Sequence, residues 1–136
     1  MLWDNYPEIK RKLEKVETII QKNLKCKSKP FEEFLMNLAS GGKRLRPAFT
    51  VLSSGFGKKQ NDKIYEAAAG IEILHMATLV HDDIIDEADM RRGRPTANKL
   101  YGDKTSVYMG DFLLARAVLL LSKTLPEDRL KRWPGV

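Results

Sequence analysis

Six consecutive residues, His81-Asp82-Asp83-Ile84-Ile85-Asp86, are followed within ten positions by Arg91, Arg92 and Arg94. Asp82 and Asp86 are four apart, so on a helix they occupy one face at neighbouring-turn distance, where two like charges oppose helix formation by a few tenths of a kcal/mol. A divalent cation reverses that sign. Mg²⁺ accepts one or two protein carboxylates and completes its octahedron with water and phosphate oxygens, so this face beside three arginines suits a metal that bridges to a diphosphate. Upstream, Gly41-Gly42-Lys43-Arg44-Leu45-Arg46-Pro47 places two glycines and three cations where a helix begins. Free N–H groups, the positive end of the helix dipole and these side chains make a second anion pocket.

These residues need a helical framework. Apolar residues recur at threes and fours and seldom alternate, so the chain reads as all-α with about six helices. The first is expected from Pro7 to Leu24, with Ile9, Leu13, Val16, Ile20 and Leu24 as its buried stripe, and the second from Pro30 to Ala39. The third is expected from Leu45 to about Gly55 and the fourth from Ile64 to about Ala88, capped by Asn61 or Asp62. The arginine-rich segment from Met90 to Gly102 reads as a loop. A fifth helix follows from about Lys104 to Leu125, and Pro126 opens a last turn or two of a polar tail over residues 126–136. On the fourth helix His75, Thr78, Asp82 and Asp86 form one polar stripe along an otherwise apolar element. Five or six helices leave the fourth and fifth incompletely covered.

The 136 residues, 43% hydrophobic and 31% charged, fit one globular domain with a core. Cys26 is the sole cysteine, which excludes an intrachain disulfide and favours a cytoplasmic setting. The start of the chain lacks the apolar core of a signal peptide, and the apolar run from Phe112 to Leu121 is short and contains Arg116, so no transmembrane segment is expected. The net charge is +6; residues 43–46 and 91–94 each hold three cations in compact clusters beside glycines, while residues 1–30 add eight Lys/Arg against four Asp/Glu without interleaved aromatics and read as a solvated helix face. The clustered pattern suits point recognition of phosphates better than nucleic acid, whose phosphates Asp82, Asp83 and Asp86 would repel.

Four ordered motifs resemble the trans-isoprenyl diphosphate synthases: Gly-Gly-Lys-Arg-Leu-Arg-Pro, Leu-Val-His-Asp-Asp-Ile-Ile-Asp, Arg-Arg-Gly-Arg-Pro-Thr, and Gly-Asp-Lys-Thr with Gly-Asp-Phe-Leu-Leu-Ala-Arg. Together they span about residues 35–122. The resemblance implies a helical bundle around a deep cavity and a Mg²⁺-dependent condensation of isopentenyl diphosphate with an allylic diphosphate. It implies that Lys43, Arg46 and His75 hold isopentenyl diphosphate, and Arg44 of the same basic loop is expected among the substrate-binding residues. Asp82 and Asp86 bind Mg²⁺ with Asp83 beside them, Arg91 meets the allylic diphosphate, and Arg92 meets isopentenyl diphosphate. Ala77 and Thr78, small residues one turn before Asp82, stand where the family gates product length, so a product of C20 or longer is expected.

The chain departs from the family in lacking the second aspartate-rich motif and the later lysine and glutamine positions. It is therefore read as the N-terminal half of a synthase, active in a hetero-oligomer whose other chain carries the second motif. Other readings are a truncated or non-catalytic diphosphate-binding subunit that regulates a full-length synthase, a homo-oligomer with a new use for the diphosphate site, a class I terpene cyclase, and a basic nucleic-acid-binding module. The basic loop, with its second diphosphate pocket, favours condensation over cyclisation.

Overall fold

The computed structural model describes residues 2–57 and 61–125. The elements run α1 Pro7–Leu24, α2 Lys29–Ala39, α3 Leu45–Ser53, α4 Lys63–Ile85, β1 Met90–Arg91, β2 Arg94–Pro95, α5 Ala97–Tyr101 and α6 Asp103–Thr124. The chain is all-α as expected, apart from a two-strand hairpin in the arginine-rich segment. The first helix matches its expected bounds and buries Leu13, Val16, Ile20 and Leu24, four of the five residues of the predicted stripe. The third ends at Ser53, and a 3₁₀ turn, Ser54–Phe56, takes over the residues assigned to its last turn. The expected turn after Pro126 lies outside the described residues.

α4 is the axis of the fold. Its most extensive interface is with α6, and α3 and α1 pack along other sides. Its inward residues Ala69, Ile73, Met76, Val80 and Asp83 follow spacings of three and four, and all are buried. Two glycines set how closely α6 approaches. A Cβ on Gly70 would come within 2.9 Å of Leu121 Cγ, and one on Gly110 within 2.1 Å of His81 Nε2. The second distance lies inside any tolerable contact, so Gly110 is the only residue type that lets α6 pass over the His81 ring.

The expected incomplete cover is present. Phe49 within α3 and Phe56 in the 3₁₀ turn after it are 66% and 96% exposed, and Tyr108, Val118 and Leu119 of α6 are more than half exposed. α6 is 22 residues long and, by length and composition alone, apolar enough to cross a membrane, a test that a core helix also passes. Within this fold α6 buries Ser106, Met109, Gly110, Leu113, Ala117 and Leu120, largely against α4.

Candidate active site

The last turn of α4 holds the carboxylates. The Asp86 amide donates to the Asp82 carbonyl at 2.8 Å, closing the final helical hydrogen bond, so the two residues are one turn apart with exposed side chains. The helix stops there, three residues before the expected Ala88. Glu87 adopts a left-handed φ of 51°. Its amide bonds the Ile84 carbonyl at 3.2 Å, while the Ala88 amide bonds the Asp83 carbonyl at 2.9 Å. This is the paired pattern of a Schellman termination, formed here on glutamate rather than glycine.

Reversal of the chain returns the arginine segment to the helix. Met90 pairs with Pro95 and Arg91 with Arg94 in an antiparallel hairpin. The two residues between them, Arg92 and Gly93, have φ of 50° and 77°, the positive pair that a two-residue hairpin turn requires. The Ala88 carbonyl accepts from Thr96 Oγ1 at 2.6 Å and Asn98 Nδ2 at 2.9 Å, which ties the residues after the hairpin to the turn that follows α4.

Asp83 parts company with its neighbours. It points inward, 5% exposed, and both its oxygens accept from Arg91: Nε at 3.0 and 2.9 Å, Nη2 at 2.7 Å. This pair holds the Arg91 guanidinium above its ordinary pKa, the hydrogen bonds it donates to Asp83 being the main cause. Arg91 is thus already forked onto a carboxylate while its edge borders a cavity of about 410 Å³, lined also by Asp83, Arg92, Arg94 and Leu79.

A second cavity, about 330 Å³, is lined by Gly42, Lys43, Arg46, Glu72, His75 and Arg92. Lys43, Arg46, His75 and Arg92, the residues expected around isopentenyl diphosphate, therefore border one space. Arg92 borders both cavities, as do Leu38, Gly41 and Leu79. His75 is held below its ordinary value of 6.5, chiefly by burial and then by Arg46; Glu72 opposes this, and Arg92 and Arg91 add to it.

Two expected site residues take other places. Arg44 also lines the second cavity, but its guanidinium turns inward and is occupied: Nε donates to Glu17 at 2.8 Å, Nη1 to Glu72 at 3.2 Å, and Nη2 to the Ala39 carbonyl. Its assignment as a diphosphate ligand is corrected, because a side chain 12% exposed between two carboxylates has no fork left for an anion. Ala77 is 2% exposed within the core, so it packs rather than gates. Thr78 is exposed on the stripe with Asp82, and its hydroxyl donates to the His75 carbonyl at 2.7 Å. Sequence reasoning missed the Asp83–Arg91 pair, the Arg44 cluster and the contact of His81 Nε2 with Asp111 at 3.3 Å. A signal for the Arg44 cluster was available, since Glu72 is an acid between Ile71 and Ile73.

Among the described residues no group of three or more His, Cys, Asp or Glu side chains comes together. The donors on offer are the two exposed carboxylates of Asp82 and Asp86, a hard-oxygen pair that fits a hydrated Mg²⁺ completed by phosphate oxygens.

The chain is similar to several known proteins. Heptaprenyl diphosphate synthase component 2 of Geobacillus stearothermophilus is 39% identical over 104 residues, 76% of this chain and 32% of that protein. Nonaprenyl diphosphate synthase of Mycobacterium tuberculosis is 41% identical over 115 residues, 83% and 34% of the two. The chain thus spans about a third of the length of these relatives. The crystal structure of a heptaprenyl diphosphate synthase from Staphylococcus aureus matches with a TM-score of 0.82 and 40% identity over 91% of this chain and 40% of that one. A geranylgeranyl pyrophosphate synthase from Lactobacillus brevis matches with a TM-score of 0.88 and 32% identity over 96% and 41%. Residues 28–133 match the polyprenyl synthetase family, and the chain belongs to that family.

Proposed function

We propose that this chain supplies the first aspartate-rich face and the isopentenyl diphosphate pocket of a Mg²⁺-dependent trans-prenyltransferase that makes an all-trans polyprenyl diphosphate of C20 or longer. The observation that carries the reading is the pair of adjoining cavities that share Arg92, one bordered by Lys43, Arg46 and His75, the other lying against Asp83 and Arg91 at the end of α4 that bears Asp82 and Asp86.

Asp82 and Asp86 would hold Mg²⁺, whose charge would offset that of the departing diphosphate. Arg91 and Arg94 add fixed positive charge at the same edge. Lys43, Arg46 and Arg92 anchor the second diphosphate so that the isopentenyl double bond faces the allylic carbon. The allylic C–O bond ionises with release of diphosphate, the isopentenyl π electrons form the carbon–carbon bond to the allylic cation, and loss of one proton restores a double bond. The protein's contribution is orientation and charge stabilisation, with no covalent nucleophile. Thr78, one turn before Asp82, borders the path of the growing tail.

One aspartate face neutralises one side of the leaving group. The reading therefore includes a partner chain, carrying the second aspartate-rich motif, that covers the exposed apolar side chains of α3 and α6 in the cytoplasm. The test is Mg²⁺-dependent incorporation of isopentenyl diphosphate into allylic primers by the purified chain, with and without any polypeptide that co-purifies. Turnover only with the partner supports the split enzyme. Turnover by the chain alone discards the partner, and none in either arm favours a diphosphate-binding regulatory subunit.

A further inference from the structure

Glu72 is a carboxylate in the wall of a pocket built for an anion. It is buried, its side chain is 9% exposed, and its Oε2 has no hydrogen-bond partner. Among the described residues its ion-pair partner is Arg44, which is shared with Glu17 of α1 and the carbonyl that ends α2. A single guanidinium thus joins α1, α2 and α4 to the loop that carries Lys43 and leads into Arg46 in the first turn of α3. The joint is tightly fitted. Arg44 itself sits in the left-handed region at φ 52°, and a Cβ on Gly42 would lie 2.9 Å from Arg44 Nη1. From the other side, Trp3 Nε1 donates to the Lys43 carbonyl at 2.7 Å.

We propose that Arg44 is a positioning residue for the diphosphate pocket: by neutralising Glu72 and Glu17 and fixing the loop between them, it sets where Lys43 and Arg46 present their charges. Without it, a buried carboxylate faces the incoming anion and the loop loses its anchor to three helices. A guanidinium is required because its planar fork meets three acceptors at once, which a lysine ammonium at the end of a flexible stem does not reproduce. This rests on the reading of the pocket as the isopentenyl diphosphate site.

The test is calorimetric titration of isopentenyl diphosphate into the full chain, with circular dichroism as the fold control. Trp3 emission, in a Trp133→Phe background, reports movement of the Lys43 carbonyl. Arg44→Lys should keep the helical signal, weaken binding about tenfold and shift Trp3 emission. Arg44→Gln should weaken it further, and adding Glu72→Gln should recover part of the loss, a coupling that a merely structural role does not produce. Binding within twofold of the parent in both Arg44 variants overturns the proposal. So does loss of helicity in both, which would assign the cluster to holding the bundle. Lys43→Ala separates the two readings. If it loses affinity while the Arg44 variants keep theirs, the pocket reading stands and this one falls; if it binds like the parent, or the parent does not bind, both fall.

Discussion

Arg91 reaches back eight residues to place its guanidinium flat against the carboxylate of Asp83, with Nη2 2.7 Å from Oδ1 and Nε within 3.0 Å of both oxygens. The three aspartates of one motif therefore do different work. Asp82 and Asp86 face outward, and Asp83 aims a cation.

Asp83→Ala should appear first as lost stability. Removing one partner of a largely buried ion pair leaves the other uncompensated, at a cost of about 3 kcal/mol. Asp82→Ala should leave the melting temperature nearly unchanged while lowering Mg²⁺-dependent turnover about 10²–10³-fold. Melting curves beside rates for both variants check the division; equal destabilisation of the two would contradict it.

Gly110→Ala should destabilise the chain although alanine is the better helix former. The propensity gain is about 1 kcal/mol. A Cβ 2.1 Å from His81 Nε2 forces the ring or α6 to move, and such overpacking costs about 1–3 kcal/mol. A lower melting midpoint is the expected readout.

Thr78→Phe should shorten the products of the active enzyme, since position 78 is exposed one turn before Asp82. Ala77→Phe should instead reduce stability by about 1–3 kcal/mol, because its site lies in the packed core. Chromatography of the products and thermal melts distinguish the two, and unchanged product length with Thr78→Phe removes the gate.

His75, held below 6.5 by burial and by Arg46, gives the protein a pH dependence. Above about 6.5 neither the folded nor the unfolded chain protonates this ring. Below it the unfolded chain takes up a proton that the native state resists, so stability falls as the pH drops. His75→Gln should flatten this slope between pH 7 and 5.5. Inorganic pyrophosphate in the pocket offsets Arg46 and Arg92, so the ring's NMR titration should move to higher pH; an unmoved curve would place the anion elsewhere.

Much of the fold was legible because helix periodicity is local. Pro7 and Leu24 bracket α1 as read, and the stripe His75, Thr78, Asp82 lies on one side of α4 as the spacing required. What escaped depends on contacts between distant residues. Nothing near Arg44 in the chain announces Glu17 or Glu72, 27 and 28 positions away. The end of α4 was misjudged because Glu87 supplies the left-handed turn normally expected of glycine, and the arginine hairpin was taken for a loop because its strands are two residues each.

The ties from Thr96 and Asn98 to the Ala88 carbonyl have a thermodynamic consequence. Flexible basic segments surrender conformational entropy when they meet a polyanion. Here that freedom is given up when the chain folds, because the hairpin bearing Arg91, Arg92 and Arg94 is held by Thr96 and Asn98 to the turn just after α4 and by Arg91 to Asp83 of that helix. Recognition by this hairpin should therefore be nearly rigid-body, with little loop ordering left to oppose it.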